Sequence, residues 1–237
     1  MTAQVCLSLF RFQGFQNKLW AFSMMGRARR YFQNMAHLNF WKLCGSGTGE
    51  GFTPQPNWAV YAILTAWDDK ISAKNQLHQQ PIFKLYTDKA EEHWHIWLQP
   101  QSSRGQWDGQ QPFIPTTEKT CGQAPLAVLT RASLRPRFAR QFWQQVPDIS
   151  KRIGQNTDVL FKIGIGEIPL LHQITFSIWP DAHSMSQFAH QGPHACAIKA
   201  VRQGDWFRED LYARFRVVET QGSWREGFAM SSQQENY

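Results

Sequence analysis

An internal repeat is the feature that most constrains how this 237-residue chain can fold. A shift of 112 residues, made without a gap, superposes identical residues in the two halves: Trp67 on Trp179, Asp69 on Asp181, His78 on His190, Gln79 on Gln191, and Pro81 on Pro193. Self-similarity at a fixed spacing indicates that one supersecondary unit occurs twice. The residues that both halves share are therefore expected to serve the common fold.

Each half reads as strand, helix, strand, strand, helix, strand, which is the ferredoxin-like order. The first half has predicted strands at 5–12, 39–47, 58–67 and 93–100 and helices at 17–35 and 74–91. The second half has predicted strands at 126–134, 159–167, 172–180 and 211–219 and helices at 138–154 and 184–202. The sequence thus predicts an α+β fold of two tandem ferredoxin-like βαββαβ repeats that form a pseudo-dimeric α/β barrel.

The domain boundaries follow from composition. Residues 1–108 form the first predicted repeat, and residues 109–124, rich in Gly, Pro, Gln and Thr, form a linker. Residues 125–224 form the second repeat, which holds the candidate site, and residues 225–237 form a polar tail.

Charge and cysteine content narrow the classes of partner. The net charge is +7, with basic clusters at 26–32 and 130–142, but no zinc-finger or RNA-binding signature accompanies them, so nucleic acid is not expected. An anionic membrane surface or an acidic redox protein remains as the partner. The four cysteines have no CxxC spacing, and no apolar run is long enough for a membrane span. These features predict a cytoplasmic protein without a zinc site or disulfide framework.

The same internal shift identifies two residues that are not shared. It places His172 on Val60 and His194 on Ile82, so only the second half has imidazoles at these two positions. Since the fold is served equally well by Val and Ile in the first half, the two histidines are the candidate site residues. The alternative interpretation is that each is an ordinary core histidine.

Strand and helix periodicity suggest where the two histidines point. Alternation places His172 on one face with Ile174 and Phe176, the apolar face expected to lie under the helices. Pro193 suits the first turn of a helix, so His194 falls in that turn, on one stripe with Ile198. A helix N-terminus disfavours the imidazolium ion and leaves a ring nitrogen free to bind a metal.

The sequence has too few candidate ligands near the two histidines for a metal held by side chains alone. No Asp, Glu and His cluster accompanies the two histidines to complete a tetrahedral zinc site. An iron that brings its own equatorial ligands, as haem b does, fits better. The sequence favours His194 over His172 as the iron ligand without excluding either. The predicted pocket wall consists of apolar residues around them: Ile174, Phe176, Trp179, Phe188 and Ile198.

Several long blocks resemble one family. "FWKLCGSGTGEGFTPQPN" (40–57), "RPRFARQFW" (135–143), "FKIGIGEIPLLHQITFSIWPD" (161–181), "GPHACAIKAVR" (192–202) and "GDWFREDLYARFRV" (204–217) together resemble the spheroidene monooxygenases, the acyclic carotenoid 2-ketolases. The resemblance implies a haem-containing oxygenase that hydroxylates C-2 of an acyclic carotenoid such as spheroidene and oxidises it further to the ketone. It also implies O2 as the oxidant and a ferredoxin-type electron donor. The family's motif histidines would carry over onto His172 and His194.

The insolubility of a carotenoid adds an expectation about location, namely peripheral attachment to a membrane surface through basic and Trp-rich patches. Two other classes stay open at this point. One is a haem lyase of the aldoxime-dehydratase type, in which a second histidine acts in acid–base catalysis. The other is a non-enzymatic haem- or carotenoid-binding protein. The substrate, the electron donor and the oligomeric state are likewise left open.

Overall fold

The chain folds into a closed barrel of eight antiparallel strands. A computed structural model describes residues 3–49, 53–116, 124–144, 158–190 and 204–225. The strands are β1 (Gln4–Arg11), β2 (Leu38–Gly47), β3 (Pro56–Trp67), β4 (Glu92–Gly105), β5 (Leu126–Leu134), β6 (Phe161–Gly166), β7 (His172–Trp179) and β8 (Phe207–Gly222). The predicted α+β barrel is confirmed.

The order of the strands around the barrel is the same in both halves. The full order is β1-β3-β2-β6-β7-β5-β8-β4, so the first half reads β4-β1-β3-β2 and the second reads β8-β5-β7-β6. The halves join where β4 pairs with β8 and where β2 pairs with β6. The second join is short, with the residue pairs Gly45–Gly166 and Ser46–Ile165.

The helices lie outside the barrel. They are α1 (Phe15–Arg27), α2 (Arg29–Phe32), α3 (Lys70–Gln79), α4 (Pro81–Lys89) and α5 (Ala182–His190). A 3-10 turn at Pro136–Phe138 leads into helical residues 139–144. No helix in these described ranges is long and apolar enough to cross a membrane.

The single helix predicted over 74–91 is wrong, because two helices occupy this stretch. The first begins earlier, at Lys70, since the carboxylate of Asp69 caps it by accepting a hydrogen bond from the backbone N–H of Ser72 at 2.9 Å. The second begins at Pro81, which has no N–H to continue a helix but suits a first turn. Between them Gln80 is extended.

The shared aspartates have the shared role that the repeat predicts. Asp181 Oδ1 accepts a hydrogen bond from the backbone N–H of Ser184 at 2.8 Å, as Asp69 does from Ser72. These backbone hydrogen bonds lower the pKa of both carboxyl groups. Each aspartate therefore marks the start of the helix that follows the third strand of its half.

The barrel interior is one continuous apolar core. Inward-facing side chains from both halves fill it, among them Leu7, Leu64, Ile96, Ile174, Phe176 and Phe215. The segment predicted as a linker contributes to this core, because Phe113, together with Trp107 before it, is buried inside the barrel. The barrel is therefore packed with side chains, and the helices cover its outer face. Of the predicted tail, Arg225 is described, and it forms an ion pair with Glu91.

Candidate functional site

The outer face of the second half differs from that of the first half at several positions. Strand pairing fixes which positions correspond, because Gln4 lies opposite Trp67 and Leu126 lies opposite Trp179. At six outward-facing positions the first half has a large side chain and the second half a small or polar one: Phe10 and Ala132, Trp41 and Lys162, Leu43 and Gly164, Tyr61 and Gln173, Ile63 and Thr175, and Trp97 and Arg214.

The large side chains of the first half have a clear structural function. Five of them are buried in the apolar cluster that packs the outer face of β1–β4 against α1–α4, and the sixth, Trp41, is partly buried and packs against that cluster. Removing side chains of this size from such a layer leaves space that a protein interior does not normally leave unfilled. At these positions the second half therefore has less side-chain volume and more polar groups on the outer side of its sheet. We call these residues of the second half, Ala132, Lys162, Gly164, Gln173, Thr175 and Arg214, the open face.

An apolar cluster borders the open face. Val128, Trp179 and Met185 are buried there, and Phe188 of α5 packs on Trp179 with ring centroids 5.3 Å apart. The indole N–H of Trp179 donates to Ser177 Oγ at 2.9 Å, so this ring has no unsatisfied donor. The cluster can contact one side of a flat apolar ligand.

On β8, Arg214 of the open face has a second cation, Arg216, two residues further along the strand. Arg214 and Arg216 both point outward, and Arg214 Nε donates to the hydroxyl of Tyr212 at 2.9 Å. Arg216 Nε is buried and has no hydrogen-bond partner among the described residues. A buried donor without a partner is costly, so this guanidinium is suited to an anionic group.

His172 does not lie on the open face. Its strand neighbours on the same side, Ile174 and Phe176, belong to the barrel interior, and His172 Nδ1 lies 3.3 Å from Glu167 Oε2. The prediction that this side of β7 lies under the helices is therefore wrong. Period-two alternation separates the two sides of a strand, but in this barrel both sides are buried, so the pattern does not say which one faces the helices.

Glu167 belongs to a network of charged side chains at one mouth of the barrel, which we call the mouth cluster: Lys42, Asp108, Arg131, Glu167 and Glu209. Lys42 pairs with Asp108 and with Glu167, and Arg131, which is buried, pairs with Glu209. Glu167 also accepts a hydrogen bond from the indole N–H of Trp107 at 3.1 Å.

The mouth cluster is held together by opposite charges. Burial raises the pKa of Glu209, but hydrogen bonds from the backbone N–H groups of Gly109 and Asp108 and the charge of Arg131 outweigh it and lower the pKa. Each cation is matched by carboxylates, which is what burial of charged groups requires. Sequence analysis missed the cluster because its members come from separate segments and share no local pattern.

The residues predicted to form one site are divided by the sheet. Ile174 and Phe176 line the barrel interior, with His172 near its mouth, whereas Trp179 lies on the outer side and packs against Phe188 of α5. His194 and Ile198 lie outside the described residues. Among the residues that the structure describes, no group of three or more His, Cys, Asp or Glu side chains could hold a metal ion.

The fold has solved counterparts. A crystal structure of aldoxime dehydratase is similar over 91% of this chain and 82% of that chain, with a TM-score of 0.62 and 11% identity. A second aldoxime dehydratase structure, in complex with butyraldoxime, is similar over 91% of this chain and 80% of that chain, with a TM-score of 0.62 and 9% identity. Similarity at such low identity concerns the fold alone.

Sequence comparison is more specific. No protein-family model matches the chain. It is 48% identical to the spheroidene monooxygenase of Rhodobacter capsulatus, over 92% of this chain and 91% of that protein. It is 47% identical to the spheroidene monooxygenase of Cereibacter sphaeroides, over 93% of this chain and 68% of that protein. The chain belongs to the spheroidene monooxygenase family.

Proposed function

We propose that the protein is a haem-dependent monooxygenase that oxidises an acyclic, spheroidene-like carotenoid at C-2, first to the hydroxy and then to the keto product. O2 is the oxidant and a reduced ferredoxin-type protein is the electron donor. Membership of the spheroidene monooxygenase family supports the reaction class. The single observation that carries the cofactor assignment is the open face, where six large side chains of the first half are replaced by small or polar ones.

The side chains on and beside the open face support haem b as the bound group. A flat apolar macrocycle can pack against Trp179 and Phe188, whose rings are in contact with each other. The two propionate carboxylates need cations, and Arg214 and Arg216 lie on the adjacent strand, with Arg216 Nε unpaired among the described residues. We assign these two arginines to the propionates.

The iron ligand in this proposal is His194. His194 follows the end of α5 by four residues, and α5 packs on the outer side of the sheet, where the open face lies. His172 faces the barrel interior and contacts Glu167, so we assign it a structural role at the mouth cluster. When bound, haem supplies the capacity to activate O2 and to oxidise an unactivated C–H bond, which no side chain can perform.

The protein itself contributes placement and the exclusion of water. The apolar residues that border the open face, Val128, Trp179, Met185 and Phe188, keep water away from the reacting carbon and position a polyene end by shape. Because a carotenoid does not leave a lipid phase readily, we also propose peripheral attachment to the cytoplasmic face of a membrane.

We further propose that the two halves are tandem ferredoxin-like repeats that form a pseudo-dimeric barrel. The identical strand order of the halves and the matching caps at Asp69 and Asp181 support this proposal. In this view the first half keeps the packed outer layer of an ordinary repeat, and the second half holds the cofactor.

The test is reconstitution of the purified chain with haem b. The wild-type protein should show a Soret band and convert spheroidene only when both O2 and a reduced ferredoxin are present. His194→Ala should lose haem binding with an unchanged circular dichroism spectrum, and His172→Ala should keep it. Conversion under anaerobic conditions without reductant, or haem bound by His194→Ala with an unchanged spectrum, would contradict the proposal.

A further inference from the structure

An exposed apolar stripe runs along α1. Phe15, Leu19 and Phe22 are spaced by four and three residues, so they share one face of the helix, and their exposed fractions are 80%, 55% and 50%. The opposite face is buried through Ala21 and Met24. A helix that packs on a barrel normally exposes polar residues, so this stripe needs a separate explanation.

The stripe continues onto β3 and into a groove. Trp58 is 52% exposed, and its ring lies 5.0 Å from that of Phe22. Beside this pair lies a groove of about 210 Å³ with mainly apolar lining, which includes Pro54, Pro56, Trp143, Ile168 and Leu170. We call Phe15, Leu19, Phe22 and Trp58 the apolar patch. Its side chains are those that partition into the boundary between headgroups and acyl chains of a bilayer.

Three cations follow the apolar stripe along the chain. Arg27, Arg29 and Arg30 are exposed at the end of α1 and in α2, and Ala28 between the two helices keeps a helical conformation. Arg29 and Arg30 follow Phe22 by seven and eight residues, which places them beyond the apolar patch on the same side. Residues 15–32 contain no Asp or Glu, and none of these three arginines forms an ion pair with another described residue.

We propose that the apolar patch and these arginines dock the protein on a bilayer that contains anionic lipids. This inference deepens the peripheral attachment proposed above and rests on it. Anionic headgroups satisfy the arginines while the aromatic and aliphatic side chains enter the interface. A second copy of the chain fits less well, because a two-fold contact through this face brings like charges together.

Co-sedimentation with vesicles tests the proposal. Vesicles of phosphatidylcholine mixed with phosphatidylglycerol should retain the wild-type protein, and vesicles of phosphatidylcholine alone should retain less. The variant Leu19→Ser/Phe22→Ser should bind the mixed vesicles at least about tenfold more weakly, since two apolar side chains no longer enter the interface. Arg27→Gln/Arg29→Gln/Arg30→Gln should lose the preference for phosphatidylglycerol. The matched control is Ile71→Ser/Ile114→Ser, which removes two other exposed apolar side chains and should bind as the wild type does.

Four outcomes overturn the proposal. In the first, the Leu19→Ser/Phe22→Ser variant binds the vesicles as tightly as the wild type does. In the second, the control variant loses as much binding as the Leu19→Ser/Phe22→Ser variant. In the third, the wild type is a dimer in solution and the Leu19→Ser/Phe22→Ser variant is a monomer. The fourth is retention of the wild type by an acidic ferredoxin but not by vesicles. Haem absorption of the same preparations separates this inference from the proposed function. Wild-type protein that has a Soret band but does not bind the mixed vesicles contradicts docking alone, and wild-type protein that binds the vesicles but has no Soret band contradicts the haem enzyme alone.

Discussion

The two outer faces of the barrel are built on the same strand order but are filled differently. In the first half, Tyr61, Ile63 and Trp97 pack under α1–α4 in a continuous apolar layer. In the second half, Gln173, Thr175 and Arg214 take the corresponding positions. A repeat that needs its outer layer only for stability keeps large apolar side chains there. The difference shows that the outer side of the second half's sheet has smaller and more polar side chains at these positions, which is the basis of the proposed cofactor site.

The largest expected effect comes from refilling the open face. Gly164→Leu/Thr175→Ile restores the first-half residues Leu43 and Ile63 at these two positions. We expect haem affinity to fall by at least about a hundredfold, because the added side chains occupy the space of the macrocycle. Haem titration followed by absorbance measures the loss. Ile165→Leu, an inward-facing change on the same strand, is the control and should leave haem affinity unchanged. Wild-type affinity in the double variant would mean that the open face is not the cofactor site.

Truncation of a buried side chain in the first half should lower stability and leave haem affinity unchanged. Ile82 of α4 corresponds to His194. It is fully buried in the apolar cluster between the helices and the outer face of the first half. Ile82→Ala should lower the free energy of unfolding by about 2–5 kcal/mol through lost burial and a cavity, while haem affinity stays the same. Urea unfolding and haem titration measure the two quantities. Leu85→Ala, at a partly exposed position of the same helix, should cost much less.

The buried His95, on the outer face of the first half, makes the stability of the protein depend on pH. Burial, with smaller contributions from His93 and His78, lowers the pKa of His95 to about 4, and its Nδ1 lies 2.8 Å from Ser8 Oγ. The unfolded chain binds this proton near pH 6.5, so stability is fully present above that pH and falls as the pH drops toward 4.

The expected loss from His95 is about 3 kcal/mol. His95→Gln should remove that part of the acid dependence, and urea unfolding at a series of pH values measures it. His37→Gln, at an exposed histidine of the same half, is the matched control. An identical pH profile in wild type and His95→Gln would show that burial of His95 does not govern acid stability.

The smallest expected effect concerns His172. Because its ring contacts Glu167 at the mouth cluster, His172→Ala should lower stability by only about 0.5–1.5 kcal/mol through one lost hydrogen bond. The haem spectrum should not change. A shifted Soret band in this variant would place His172 next to the cofactor and would contradict its assignment to the barrel interior.

Much of the fold could be predicted from the sequence. The repeat and the alternation of the strands are local signals, so the order of the strands within each half followed from them, whereas the caps at Asp69 and Asp181 are a finding of the structure. The break at Gln80 did not follow from these signals, although Pro81 and the capping Asp69 were both visible, because the apolar pattern runs through it. The family was also readable, since long blocks of residues carry it.

Only the tertiary structure decided which side of each strand faces the helices and which charges meet. His172 and Trp179 lie on the same short strand, and alternation separates them correctly, but both sides of a closed barrel are buried, so local periodicity assigns no side to the interior. The contact between His172 and Glu167, the pairing of Arg131 with Glu209 and the exchange of Trp97 for Arg214 depend on strand register around the barrel. Register is set by pairing between distant segments, and no stretch of sequence contains that information by itself.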